Sequence, residues 1–356
     1  MSDIRAFHES VDIPQSAQDR YAHMFFIRNF FQKPELFADE MKALEQELVE
    51  SLPRLEDDVR PIETYEPHEI DSEMLKSMFK DNVRPIVIKG FAKEHDCVKQ
   101  WTPQFFKDHF GDFEIFYSST EKLVNDDGTR LADFVDSVLA GNKNRAYVEN
   151  LSDIFNTYPE LHRQAGLDRV RDFLGDFASY HRIAQLFIGG PGTGAVFHCA
   201  NELNCFLNIY GRKEWTFVHP KYAVAMYSTN FNKGFFVGSF VKHNASKGFL
   251  EAEYPLYNRI PKLRITLEPG DMLINPPWWW HAINNVTPST ISVASRWEIL
   301  TENARQNLPF DFVQSMRKDR LTIVGKKLSP TDIVVPDTEI RKNYITYKQM
   351  GWEATR

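Results

Sequence analysis

A mainly β fold with helical extensions, its strands closed into a barrel or jelly roll, is predicted by three features of the chain. Beyond Ser179 the sequence breaks into short runs rich in β-branched and aromatic residues, at 183–188, 195–198, 203–210, 214–218, 263–267, 271–274, 282–286 and 289–297, with Gly and Pro turns between them. Before Ser179, helical and extended patterns alternate, as expected of an α+β part that precedes a barrel. Hydrophobic residues at 42% and aromatic residues at 13%, with 28 Phe and seven Trp, suffice for a packed interior and argue against disorder.

The elements follow in order. Residues 1 to about 20 are polar and expected to fray. The stretch 34–52 places Leu36, Phe37, Met41, Leu44 and Leu48 at helical spacing, and Pro53 ends it. The charged, Pro-bearing stretch 54–67 reads as a connection. A helix at 71–80, a strand at 85–89, a helix at 103–110, a strand at 114–118, a helix at 131–139 and a strand at 145–149 come next, and 153–178 reads as helical. Within the barrel, 220–261 is too long for a hairpin, and its glycines, aromatics and His243 suggest a lid or substrate loop. Phe235, Phe236, Lys242 and His243 are its substrate-contact candidates, each of which loop packing or solvation would equally explain. After Thr301 the spacing is helical again. The organisation expected is an N-terminal helical extension (1–60), a core (61–300) with an insertion at 221–262, and a C-terminal helical tail (301–356) that covers the barrel or joins two subunits.

Several function classes are excluded early. A formal charge of −7 and a pI near 5.9 give no field that would attract nucleic acid over the whole surface. No apolar window is long enough to cross a bilayer, and Arg28 and Asn29 interrupt the aromatic stretch at 24–31. Asp3 and Glu9, with no apolar run, do not make a signal peptide. Cys97, Cys199 and Cys205 form neither a disulfide framework nor a CxxC pair, which suits a reducing cytoplasm, and Cys199 reads as a small buried filler. P-loop, GxGxxG, GxSxG and HExxH patterns are absent from the sequence. The run GGPGTG at 189–194 lacks the lysine of a phosphate cradle and reads as a turn.

The densest chemical signal is GDMLINPPWWWH at 270–281, a turn and an apolar strand whose prolines and tryptophans lead to His281. Alone, such a histidine is as readily a hydrogen-bonded core residue. A partner stands earlier in the chain: His198 ends a predicted strand and precedes Cys199, Ala200, Asn201, Glu202, Asn204 and Lys213. Two histidines on facing strands can occupy adjacent positions on one metal ion, to which a non-haem iron oxygenase adds a carboxylate.

The stretches 187–220 and 268–297, with RPIVIKGF at 84–91, resemble the jumonji C and asparaginyl-hydroxylase-like branch of the 2-oxoglutarate oxygenases. The resemblance implies a double-stranded β-helix (cupin or jelly-roll) core and makes His198 and His281 ligands to Fe(II). It also makes Lys213, Tyr147 and Asn204 candidates to hold 2-oxoglutarate, with O2 as the oxidant. A dicarboxylate bound to iron at one end needs a cation at the other, which a lysine on the neighbouring strand would supply. Without the histidines Lys213 would read as a solvated turn residue, and Tyr147 as ordinary packing. Arg296 on the last strand is a competing anchor, or a structural ion-pair or substrate residue.

The pattern breaks at one position. The family carries Asp or Glu two residues after the first histidine, and this chain carries Ala200, which cannot bind a metal. Three readings follow. Iron and 2-oxoglutarate halogenases resemble this sequence in carrying Ala or Gly there, so chloride or bromide would take the open position; this is the leading reading. A hydroxylase would fill it with water or with Glu202, although Glu202 is out of step with the motif. A non-catalytic or weakly metal-binding cupin would recognise a partner through its inserted loop. The expected substrate is a small molecule, amino acid, peptide or carrier-bound acyl group, with no nucleic-acid or membrane partner and with a homodimer as an option.

Overall fold

The computed structural model describes residues 4–31, 33–55, 58–81, 83–117, 128–143, 145–228 and 236–299. The predicted tail at 301–356 and Phe235 lie outside the described residues. The strands are β1 (Val59–Pro61), β2 (Glu63–Tyr65), β3 (Ile86–Ile88), β4 (Glu114–Ile115), β5 (Thr129–Arg130), β6 (Tyr147–Leu151), β7 (Ala178–Gly189), β8 (Gly194–Ala200), β9 (Leu203–Tyr210), β10 (Lys213–Val218), β11 (Phe236–Gly238), β12 (Lys262–Leu267), β13 (Met272–Asn275), β14 (Trp280–Asn285) and β15 (Thr290–Ile299). Two sheets carry nearly all of them, in the orders β1-β12-β10-β14-β8-β11 and β2-β3-β13-β9-β15-β7-β6. The chain therefore crosses between sheets at almost every step from β7 onward, as a jelly roll does.

Side-chain alternation explains the layers. Ile86, Leu207, Ile274, Val293 and Leu186 point out of the seven-stranded sheet into a core closed by the helices of the α+β part, including Phe79, Phe106 and Val135. Leu273, Phe206, Ala294, Phe187 and Tyr147 point the other way and meet Trp215, Phe217, Leu263 and Ile283 of the six-stranded sheet, which makes the barrel interior. The back of the six-stranded sheet, with Phe197, Cys199, Val218 and Ala282, is covered by Tyr21, Phe25, Leu44 and Leu48 of the N-terminal helices and by Tyr222, Leu250 and Tyr257 of the insertion. Cys199 is thus a packed filler that faces away from the barrel interior.

All eight strands predicted after Ser179 are present. β7 and β15 run past their apolar patterns and go on pairing as far as Ala178 and Ile299, with Arg182 3.5 Å from Glu298 across them. The stretch predicted to fray is instead docked. Val11, Ile13 and Ala17 are buried, the helix Gln15–Phe30 follows, and the Tyr222 hydroxyl accepts from the Val11 N–H (3.2 Å) and donates to its carbonyl (3.0 Å). The single helix expected over 153–178 breaks into Asp153–Thr157, Pro159–Gln164 and Leu167–Leu174. Pro159 cannot continue the first of these, and Gly166 (φ 66°) starts the third from the left-handed region. β1 and β2, each only three residues, lie in the stretch read as a connection and add in parallel to β12 and β3. No helix among the described residues is long and apolar enough to cross a membrane.

The described part of the insertion packs largely against the sheet, while its strand β11 pairs with β8 at His198–Ala200. Tyr222, Val241, Leu250 and Tyr257 are buried behind the six-stranded sheet rather than across its open end. His243 lies there too, edge-on to Phe197 and 3.3 Å from the Asn284 amide, and burial holds it down near pKa 4. Lys242 sits over the Phe249 ring. His243 stands against residues on the back of the sheet, and Lys242 is turned to the insertion's own helix Lys247–Glu253.

Candidate active site: two histidines, an alanine and a buried lysine

The WWW segment sets the site. After Pro276 and Pro277, Trp278 takes φ 65°, a left-handed conformation costly for so large a residue, and its N–H donates to the Ala200 carbonyl at 2.7 Å. From that kink alternation sends Trp278 and Trp280 into the rear core and Trp279 into the barrel interior, and His281 follows inward. β14 pairs with β8 so that His281 stands directly opposite His198. The register between Ile283 and Ala195 then shifts by one residue, a bulge in β8 just before His198.

The two imidazole centroids are 4.2 Å apart with planes at 56°. Each Nδ1 lies 2.8 Å from the carbonyl two residues upstream, Val196 for His198 and Trp279 for His281. A carbonyl only accepts, so each ring is the Nδ1–H tautomer and Nε2 keeps the lone pair a metal would use. Burial pulls His198 down to about 4; burial and the neighbouring His198 hold His281 well below the ordinary range. Both rings are therefore neutral at pH 7, with Trp215 stacked on His281 at 5.4 Å.

Ala200 lies two residues beyond His198 on the same face of β8 and is buried. Glu202 does not replace the missing carboxylate. Its oxygens are engaged by Arg182 (2.6 Å) and Arg296 (3.7 Å). Among the described residues no carboxylate or thiolate joins His198 and His281 within metal-ligand reach; the trio that does come together is His8, Glu9 and His219. That trio is a clasp rather than a metal centre in this tautomer. The Lys221 N–H donates to His219 Nδ1 at 3.1 Å, so Nε2, 3.3 Å from Glu9, carries the proton.

Lys213 and Asn285 face each other across β10 and β14. The ammonium is completely buried and donates to Asn285 Oδ1 at 2.7 Å, while Asn285 Nδ2 donates to Thr193 Oγ1 at 2.7 Å. It also lies 5.3 Å from the centre of the Tyr147 ring and 6.0 Å from that of Phe206. Gly189 makes room for Tyr147, since a Cβ there would come within 2.5 Å of the ring. No carboxylate pairs with Lys213 among the described residues, and burial lowers its pKa to about 7.

The opposite wall is polar. Asn275, Asn204 and Arg296 stand side by side on β13, β9 and β15. Arg296 donates to Gln185 at 2.6 Å and leans toward Glu202, which makes it a partnered wall residue, while Lys213 has no such carboxylate. Asn204 Oδ1, Asn275 Oδ1 and Trp215 Nε1 are buried atoms that meet no hydrogen-bond partner. The structure thus gathers His198, His281, Ala200, Lys213, Tyr147, Asn204 and Arg296 on the facing inner walls. Sequence reasoning missed Asn275, Asn285, Thr193, Trp215 and Glu149. Glu149, at the irregularity that follows Val148 in β6, acts electrostatically on His198. Alternation from Lys213 was the signal that could have found Trp215.

Comparison with known proteins agrees with this architecture. Over 116 residues the chain is 33% identical to an HSPB1-associated protein 1 homolog of Danio rerio, covering 32% of this chain and 25% of the relative. It is 28% identical over 115 residues to Jumonji C domain-containing protein 5 of Drosophila melanogaster, covering 32% and 27%. It is also 23% identical over 227 residues to lysine-specific demethylase 8 of Xenopus tropicalis, covering 60% and 48%. The match spans about a quarter of the length of the first of these relatives. Residues 72–302, well over half of the chain and including both sheets' central strands, match the cupin-like domain family, and the protein belongs to that family.

Proposed function

We propose that the protein is an iron(II)- and 2-oxoglutarate-dependent enzyme that functionalises an aliphatic C–H bond, with chloride or bromide in the position that Ala200 leaves open. The family includes 2-oxoglutarate-dependent oxygenases and demethylases, and its jumonji C members typically use Fe(II) and 2-oxoglutarate. The observation that carries the reading is the fully buried Lys213 ammonium, without a carboxylate, on the same inner face as two neutral imidazoles. Buried charge is costly unless paired, so this ammonium calls for an anionic ligand.

The residues fit the groups proposed. His198 and His281 would hold the iron through Nε2, each ring fixed by its Nδ1–H bond. Lys213 would hold the far carboxylate of 2-oxoglutarate, with Tyr147 and Asn204 lining its path. When bound, iron, 2-oxoglutarate and O2 supply the oxidising power for attack on an unactivated carbon. The protein's part is to orient that cosubstrate, keep both imidazoles neutral and exclude water with Trp215, Phe217 and Phe206.

Charge balance favours an added halide. Lys213, a divalent metal and a dicarboxylate dianion sum to one positive charge, which a ligating carboxylate would cancel and Ala200 does not. A monoanion restores neutrality in a buried site. Hydroxylation is the second reading, and Glu149 favours it: a carboxylate acting on His198 repels a halide and leaves the position to water. The substrate class remains the one expected above, and the name lysine-specific demethylase 8 of one relative adds a peptide side chain to it. The division into 1–60, 61–300 and 301–356 is likewise a proposal.

Anaerobic titration with Fe(II) and 2-oxoglutarate, with and without chloride or bromide, tests these readings through the visible charge-transfer band. A band that moves with halide supports halogenation. A halide-insensitive band selects hydroxylation, and a protein that forms no band is a binding cupin rather than an enzyme of this kind.

A further inference from the structure

We propose that Trp215 is a specificity-determining residue for the cosubstrate: its indole N–H donates to the dicarboxylate that Lys213 holds. The inference rests on the 2-oxoglutarate reading above and goes beyond it by assigning a second donor.

Lys213, Trp215 and Phe217 alternate along β10 and face the barrel interior, opposite Asn285, Ile283 and His281 respectively on β14. Trp215 therefore occupies the middle step between the ammonium and the histidine pair. A ligand spanning those two ends must run beside its indole. The ring is fixed on two sides, stacked on His281 at 5.4 Å and edge-on to Phe206 at 4.8 Å. Phe206 also borders the Lys213 ammonium, at 6.0 Å, so donor and cation flank one ring.

The indole is 1% exposed and its Nε1 meets no hydrogen-bond partner. A buried donor without an acceptor is destabilising, and phenylalanine would supply the same stacking without one. A tryptophan here is accounted for by an acceptor that arrives with a ligand. The carboxylate called for by Lys213 has several lone pairs and can accept from an ammonium and an indole together.

The test uses the full-length protein with Zn(II), a diamagnetic ion, in place of iron. In 15N-labelled protein the seven tryptophans give seven indole N–H signals, and the one missing in Trp215→Phe belongs to Trp215. On addition of 2-oxoglutarate that signal is expected to move downfield. By calorimetry Trp215→Phe should bind 2-oxoglutarate about tenfold or more weakly, as expected for loss of a hydrogen bond to a charged group, with Zn(II) affinity within about twofold of wild type. Lys213→Met should lose 2-oxoglutarate binding. If Lys213→Met loses binding while Trp215→Phe binds as wild type and the Trp215 signal stays in place, the Trp215 role is wrong and the 2-oxoglutarate reading stands. If Trp215→Phe also loses Zn(II), its role is structural and the inference is overturned. If wild-type protein loaded with Zn(II) takes up no 2-oxoglutarate, the underlying reading fails and takes this one with it.

Discussion

Replacing Lys213 by Met should stabilise the ligand-free protein at pH 6 while abolishing cosubstrate binding. Burial lowers the ammonium from 10.5 to about 7. At about 1.4 kcal/mol per tenfold change, the charged form is disfavoured in the fold by roughly 5 kcal/mol. The sign follows from proton counting. Between pH 7 and 10.5 the unfolded chain binds more protons than the folded one, so stability rises with pH across that window and the full cost is present below about 7. Methionine keeps the stem and removes the charge. It also removes the bond to Asn285, which leaves Asn285 Oδ1 without its donor at a cost of about 1–3 kcal/mol. The net expectation at pH 6 is a gain of roughly 2–4 kcal/mol, shrinking to nothing or a small loss by pH 10. Urea unfolding at the two pH values reads it directly, and saturating 2-oxoglutarate with Zn(II) should raise the midpoint of wild type alone. A Lys213→Met variant less stable than wild type at pH 6 would refute the picture of an uncompensated buried cation.

Other variants probe other walls. Ala200→Asp buries a carboxylate beside neutral imidazoles, so the metal-free variant should lose about 2–4 kcal/mol of stability and recover it with metal. Its Fe(II) complex should also lose any chloride-dependent shift of the charge-transfer band, and a shift that persists would place the halide elsewhere. Glu202→Gln should leave Zn(II) affinity unchanged, because that carboxylate serves Arg182 and Arg296, while stability falls by about 1–3 kcal/mol; a tenfold loss of metal affinity would show that Glu202 reaches the site. Tyr222→Phe removes both hydrogen bonds to Val11 and should cost about 1–3 kcal/mol and speed proteolysis near the N-terminus, which tests whether that segment is docked as the structure has it.

The barrel was legible because its strands, buried on both faces as at 203–210, read as short apolar runs, and because Gly and Pro mark their ends. His198 and His281 were legible for a related reason: one closes an apolar run and the other follows a proline-fixed turn. What escaped was whatever depends on a partner distant in sequence. Residues 6–20 look too polar to dock, yet Val11 and Ile13 reach a rear core built from residues two hundred positions away. The 220–261 insertion has a lid's composition, but the same aromatics serve equally to cover the back of a sheet, and the N-terminal helices already form the rest of that cover. Alternation from Lys213 puts Trp215 on the inner face of β10, but neither its role nor that of Asn275 is marked locally. Their meaning comes from cross-strand register, which the sequence specifies only through the whole sheet.

The same register explains how Ala can stand at position 200 without undoing the site. Each imidazole is oriented by a carbonyl two residues upstream in its own strand, and neither depends on a carboxylate for its tautomer. The Ala200 backbone is held by the Trp278 N–H, whatever its side chain. Compared with a site that carries a carboxylate there, alanine therefore lacks one negative charge and one candidate ligand, while the two imidazoles keep their aim. On the proposed reading, the three positive charges of Lys213 and a divalent metal would then be left for exogenous anions to balance, the dicarboxylate taking two and a monoanion beside Ala200 the third. Chemistry at such a centre depends on what the solvent supplies. For that reason chloride or bromide, rather than any further side chain, is the variable that should decide between halogenation and hydroxylation.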